Sequence, residues 1–444
     1  MSIQRSTNTF PVGWRRAGLT KYLESLVDYR GATPEKVPSG VFLVTAGNIR
    51  NGRIDYQVSQ EFVREEEYEV IMRRGKPRIG DLLFTTEAPL GQVALVDRED
   101  IALAQRIIKM RPKPDALVNR FLLYWIRSMP FQAELVGWAT GSTAQGIKAE
   151  KLHKLSVLLP PLTDQHSISD FLDRETARLD GLVAAKERVL ELLAEKRRAL
   201  ITRAVTCGIT PGVPLQNCGI SWLGEIVAHW KIERLKFHLH GVEQGWSPQC
   251  DNIAAEVDEW GVLKAGCVNG TEFDPNENKR LPGNQEILTE FEVRAGDVLM
   301  SRANTTELLG STALIRAVRA RLLLCDKLYR LDVNESTLCK EYLVWFLRCP
   351  SGRYEFERDA TGASNSMQNI GQDSVRNLWI PIPPIDEQRA IVSYIAAETS
   401  KLDALRSATE RTISLLKERR AALIAAAVTG QLDTKSLAAA YSSQ

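Results

Sequence analysis

The chain has 444 residues, enough for about three domains, and its 44% hydrophobic and 25% charged residues are those of an ordinary globular protein. No apolar run approaches the ~20 residues needed to cross a membrane, and the polar first residues, Met1 to Arg16, lack the apolar core of a secretory signal. The net charge of +2 hides a division: residues 1–160 carry 23 basic and 17 acidic side chains, whereas residues 208–382 carry 18 and 23. A polyanionic partner is therefore suggested by the first half only. Seven cysteines, an odd number without C-x-x-C spacing, fit reduced thiols in the cytosol.

Residues 1–160 read as a mixed globule of short β-branched or apolar strands bounded by Gly, Asn and Asp. Asn48, Arg50 and Arg53 surround a turn, with side chains able to reach guanine or adenine edges. Arg73, Arg74, Lys76 and Arg78 put four cations on a Gly/Pro-containing turn that could follow a phosphate backbone. For both turns a solvated surface loop is the competing reading. The apolar segment near 116–127 is expected to be a helix. Beyond Ala139-Thr140-Gly141, the residues Ser142, Thr143, Gln145 and Lys148 are short or polar donors and acceptors, suited either to DNA or to packing against the helix that follows.

That helix, predicted over 161–208, begins after Pro160-Pro161 with Thr163 as its N-cap and stops at Gly208. Leu172, Leu179, Leu182, Val189, Leu193 and Leu200 form a seam of period near 3.5, interrupted by Glu175, Lys186 and Lys196. Gly208 to Ser221, rich in Gly and Pro, reads as a linker. Residues 209–382 then hold this linker and a second globule, in which Gly296-Asp297-Val298-Leu299 matches Gly80-Asp81-Leu82-Leu83 and Ala360-Thr361-Gly362 repeats Ala139-Thr140-Gly141. A helix is expected near 340–349. Lys279, Arg280, Arg302 and Asn304 occupy places comparable to the first basic turns, and Asn365, Ser366, Gln368 and Asn369 answer the loop at 142–148.

Residues 383–430 repeat the long helix without a gap at an offset of 223, with Asp386 as N-cap and Ile395, Leu402, Leu405, Leu416 and Leu423 as seam; close to half of the aligned positions are identical. Glu398, Thr409 and Arg419 interrupt it. Two amphipathic helices of about 40 residues need a partner, and each can serve the other. Residues 431–444, small and polar, read as a flexible tail.

Chemistry is hard to find in this chain. It has no Asn/Asp-Pro-Pro-aromatic loop for a target amine and no G-x-x-x-x-G-K-[ST] loop for a nucleotide. Its five histidines form no metal motif, so no metal site and no catalytic residue are expected.

The constellation resembles the specificity subunit of type I restriction-modification systems over essentially the full chain. The resemblance rests on the Pro-Pro-Leu/Ile-x-Asp/Glu-Gln stretches at 160 and 383, the Leu-Leu-x-Glu-Lys/Arg-Arg stretches at 192 and 415, and the Gly-Asp-x-Leu and Ala-Thr-Gly elements of each globule. One departure is Ala228, where many relatives carry proline. The resemblance implies an α+β fold: two mixed α/β target-recognition domains separated by two long helices in an antiparallel coiled coil. It implies a cytoplasmic, non-catalytic subunit that binds double-stranded DNA, each globule reading half of a bipartite site and the helices setting the spacing. Two methyltransferase subunits and two restriction (translocase-nuclease) subunits would be its partners. They would carry S-adenosylmethionine, ATP and Mg, and this chain would hold no cofactor. The alternative from another class is a coiled-coil scaffold joining two protein-binding globules without DNA recognition, which the acidic second half favours.

Overall fold

A computed structural model describes residues 11–31, 34–141, 145–364 and 367–432. The chain forms two compact units, residues 1–187 with 410–444, and residues 188–409. Each unit thus takes one globule, the first part of the long helix that follows it, and the last part of the other long helix.

In the first unit a four-stranded antiparallel sheet runs in the order Leu23–Asp28, Ile107–Pro112, Leu82–Thr85, Val93–Leu95. Its strand Leu82–Thr85 is buried on both faces, so alternation along the strand sends neighbours into different cores. Leu82 and Phe84 join a core with the long helices, and Leu83 joins a second core beneath a three-stranded sheet. That smaller sheet pairs Val41–Val44 parallel to Ile101–Leu103 and antiparallel to Phe62–Val63. The helix expected near 116–127 is Asn119–Arg127, and a second one, Met129–Trp138, follows it unforeseen. Strands Arg15–Gly18 and Ser156–Leu159 pair and bring the two ends of the globule to the start of the long helix.

The second unit repeats this plan with little sequence in common. Its antiparallel sheet runs Leu239–Gln244, Leu328–Val333, Val298–Ser301, Thr312–Leu314. Its smaller sheet is Asn278–Arg280, Gly261–Leu263, Leu322–Leu323, again with one parallel pair. Val298 and Met300 face one core and Leu299 the other, as in the first unit. The helices Lys340–Arg348 and Pro350–Asp359 and the closing pair Lys231–Arg234 with Trp379–Ile382 complete the match. The expected linker is structured in part. Leu215–Asn217 forms an antiparallel hairpin with Glu225–Val227, and Gly219 and Gly224, both at positive φ, supply the turns.

The long helices are Leu162–Cys207, 46 residues, and Ile385–Val428, 44 residues. They start one residue before the expected N-caps, so Thr163 and Asp386 lie in the first turn. Gly208 and Gly430 follow the ends at φ +72 and +75, and Gln431 N–H reaches back to the Ala426 carbonyl at 2.9 Å. The pairing is antiparallel within each unit. In the first, Arg420 pairs with Asp180 and Lys417 with Glu187. In the second, Arg197 pairs with Asp403, while Ala204 and Val205 share the core with Ile391 and Ile395.

The seam differs from the expected one in its middle. Leu182 is 41% and Leu405 51% exposed, and Val189 is only half-buried. The fully buried stripe runs through Leu172, Thr176 and Leu179 on the first helix and Ile395, Thr399, Leu402, Thr409 and Ile413 on the second, and half-buried Val183, Leu190, Leu193 and Leu416 continue it. The steps of three and four fit both sets of leucines, and only the partner decides which set faces in. Threonines enter the stripe because each hydroxyl bonds its own helix, Thr176 to the Leu172 carbonyl and Thr409 to the Leu405 carbonyl. No helix among the described residues is long and apolar enough to cross a membrane.

Candidate nucleic-acid interface

The duplicated motifs turn out to fasten the fold. Gln165, of the first Pro-Pro stretch, is 1% exposed. Its carbonyl oxygen accepts from Val118 N–H at 2.8 Å, and its amide donates to the carbonyls of Ala116 and Pro160. Gln388 does the same in the second unit, accepting from Cys339 N–H at 2.7 Å and donating to Thr337 and Pro383. One amide thereby ties each long helix to the first residues of the short helix before it. The aspartate of Gly-Asp-x-Leu is equally structural. Asp81, 2% exposed, accepts the Arg78 N–H and both forks of Arg111 at 2.7 Å. Asp297 accepts the Arg294 N–H and lies 3.4 Å from Arg330. In Leu-Leu-x-Glu-Lys/Arg-Arg the last arginine is the interhelix partner, Arg197 for Asp403 and Arg420 for Asp180.

What these anchors leave free are the turns. Ile49 and Ile54 sink into the core beneath the smaller sheet and hold a hairpin whose tip is Arg50 to Arg53. Asn51 and Gly52 both take positive φ there. Arg50 and Arg53 are exposed, and Arg53 has no side-chain partner among the described residues. Asn48 must be removed from the recognition candidates. It is fully buried, accepting from Thr45 N–H and Oγ1 and donating to the carbonyls of Asp55 and Ser59, so all its valences serve the loop.

The second basic turn lies elsewhere on the globule. Arg74 donates to the Asp28 and Arg30 carbonyls, and Lys76 pairs with Glu69. Arg73 and Arg78 are exposed without side-chain partners among the described residues. Gln145 and Lys148 are exposed, whereas Ser142, Thr143, Asn365 and Ser366 lie outside the described residues.

In the second unit most candidates are engaged. Arg280 is ion-paired with Asp251 at 2.7 Å and Glu259 at 3.4 Å. Asn304 bonds Asn269, and Arg302 reaches the Asp326 carbonyl over the Tyr329 ring. Gln368 and Asn369 belong to the strand Met367–Asn369, paired with Ala303 and Asn304. Lys279 is half-buried beside Cys250. The acidic balance of this half is thus expressed in paired cations such as Arg280.

Sequence reading missed one set of residues. Arg127 closes the helix Asn119–Arg127 and packs on the Gly52 backbone, so that a Cβ on Gly52 would stand 2.6 Å from its Nη1. Burial, with Arg420 and Arg53 close by, pulls its pKa down to about 10, although Tyr124 and Asp180 act the other way. Arg348 closes the matching helix, and burial beside Arg197 and Arg353 lowers its pKa too. The recurrence of an arginine at the end of the same helix in both halves was the available signal. Among the described residues no group of three or more His, Cys, Asp or Glu side chains is placed to hold a metal.

Comparison with known proteins bears on both units. Residues 44–192 match the family described as type I restriction modification DNA specificity domain. The chain is 29% identical over 184 residues to the type I restriction enzyme EcoEI specificity subunit of Escherichia coli, a match covering 41% of this chain and 31% of that protein. It therefore spans about a third of that relative. With the StySPI specificity subunit of Salmonella potsdam it shares 20% identity over 95% of this chain and 90% of the relative. A solved chain from work on complex assembly and conformational transition of the type I R-M system superposes with a TM-score of 0.71 at 20% identity, covering 96% of this chain and all of that one. Duplicated globules of one topology, each clamped to its long helix by the same glutamine, carry a specificity-domain match in the first copy, and over most of its length the chain is similar to type I restriction enzyme specificity subunits.

Proposed function

We propose that this chain is the non-catalytic DNA-recognition subunit of a type I restriction-modification complex, each globule reading one half of a bipartite site. The observation that carries this is the division of labour in the repeat: the buried anchors are duplicated, whereas the exposed turns differ between the copies. A pair of globules serving one identical partner would have no reason to diverge there. The long helices set the spacing between the half-sites.

The same helices offer the surface on which partner subunits dock. Leu182 and Leu415 are exposed in the first unit, and Leu192 and Leu405 in the second, at 41–55%. These leucines are repeat-related, 182 with 405 and 192 with 415, and an exposed pair in each unit suits one partner subunit apiece. We assign them to two methyltransferase subunits, which supply S-adenosylmethionine chemistry. Two translocase-nuclease subunits with ATP and Mg complete the complex, and the chain works in the cytoplasm, where the genomic DNA lies.

The test is methylation. The purified chain alone leaves DNA unmodified, and adding the methyltransferase subunit of its system produces adenine methylation confined to one bipartite sequence. Methylation by the isolated chain that survives repurification overturns the non-catalytic reading. Sequence-independent methylation by the pair overturns the recognition reading.

A further inference from the structure

In the first unit Arg127 has two other guanidinium groups and one carboxylate for neighbours. Arg53 comes from the hairpin, Arg127 from the end of Asn119–Arg127, and Arg420 from the second long helix. Asp180 is the acid, and Arg420 already takes it, with Nε 2.8 Å from Oδ1. Arg127 has neither a hydrogen bond nor an ion pair from its side chain to any described residue, although the burial and the two neighbouring cations all oppose its charge. A half-buried cation without a protein acceptor gains from an anion that arrives to pair with it. Guanidinium forks suit tetrahedral phosphate oxygens as well as carboxylates. Here the charge continues outward along the hairpin through Arg53 to Arg50, both exposed. A strip of that kind follows a polyanion, where a single protein carboxylate would need one fork.

The second unit builds the same cluster from repeat-related residues. Arg348 stands for Arg127, Arg197 for Arg420 and Asp403 for Asp180. With Arg316 they line a cleft of 520 Å³. Two differences set it apart: Arg348 already donates to the Thr271 carbonyl, and Glu272 and Glu341 stand at the rim. The first cluster, where Arg127 has two cations and the single acid Asp180 for charged neighbours among the described residues, is therefore the stronger anion site.

We propose that Arg53, Arg127 and Arg420 hold one phosphate of the DNA backbone where the hairpin meets the helix pair, with Arg348 and Arg197 as the weaker counterpart. The clamp rests on the DNA-recognition reading above. Its function is registration: a phosphate fixed against the helix pair sets how the hairpin is presented to the groove, without itself reading a base.

The experiment measures binding of the full chain, with its methyltransferase subunit, to a mixed-sequence 30-pair duplex across a KCl series. Each phosphate contact contributes about 0.9 to the slope of log K against log[KCl]. Arg53→Gln combined with Arg127→Gln should make the slope shallower by about 0.9, and Arg127→Lys should retain most of it. Arg98→Gln, which removes one positive charge from an Arg98–Asp100 pair at the surface, should leave the slope unchanged. Thermal melting checks the fold. If the double variant melts early, Arg53→Gln alone decides, because that exposed side chain supports nothing. A wild-type slope in a folded double variant, or in Arg53→Gln where that variant must decide, overturns the clamp and leaves the DNA reading standing. So does weaker methyltransferase association at an unchanged slope, which would assign the cluster to a partner carboxylate. No salt-dependent binding by the wild-type complex overturns both.

Discussion

At the scale of single residues, the most telling side chains are those that make no use of their exposure. Gln165 and Gln388 spend every hydrogen-bonding atom on one junction, so their loss leaves a buried N–H and two carbonyls without partners. An orphaned buried group costs about 1–3 kcal/mol. Gln165→Ala should accordingly lower the stability of the first unit by about 3 kcal/mol, read as an earlier urea midpoint in that unit's unfolding. Gln165→Glu should be worse, because a carboxylate would face two carbonyls at ~3 Å. A change below about 1 kcal/mol in the alanine variant would mean that water replaces the clamp. The sequence showed these glutamines as repeated but not as buried, since periodicity marks apolar faces and is silent on a polar residue inside one. Asn48 failed for the same reason: its type suits a base edge, and only the surrounding Thr45, Asp55 and Ser59 show that it is spent.

At the scale of elements, the helices were legible, because a repeat of 47 gapless positions with apolar residues at steps of three and four admits little else, whereas their antiparallel direction was implied only by the family resemblance. The faces were less so. Both Leu182 and Leu179 fit the spacing, and the structure buries only Leu179, at 1%. The globules were legible as mixed α+β but not in topology, since their parallel pairs join residues about 60 apart, with no local signal. Leucine truncation separates the faces. Leu402→Ala, at a site 9% exposed, should cost about 2–4 kcal/mol. Leu405→Ala, three residues on, should cost less than about 0.5 kcal/mol. Paired with Leu192→Ala, the second change should weaken methyltransferase association at least tenfold by titration without moving the melting midpoint. Equal stability loss at 402 and 405 would restore the seam first read from the sequence, and unweakened association would take the docking surface elsewhere.

At the scale of the whole molecule, the repeat acts as a substitution rule. The first unit's core is completed by Ile424, Ala427 and Val428, and Ile201, Ala204 and Val205 are identical at the matching places. A chain ending at Cys207 should therefore dimerise, one copy supplying to the other what the second helix supplies now, with Arg197 taking Asp180. With the methyltransferase subunit it should methylate an inverted repeat of the first half-site, and a fragment that stays monomeric at every concentration tested in sedimentation would break the rule. The ruler role of the helices is testable at the boundaries between the units, 187/188 and 409/410. One heptad inserted at each point keeps the 3.5-residue seam in phase and lengthens the pair by ~10 Å. That is about three base pairs at ~3.4 Å each, which also turns the duplex by roughly a third of its ~10.5-pair repeat. The displaced globule then meets the groove at a different angle, and twisting the DNA to restore it costs energy. The variant should either methylate a site with a longer spacer or lose methylation at the original one, as genome-wide mapping of modified adenines will show. Undiminished methylation at the original spacing would mean that something other than helix length separates the half-sites.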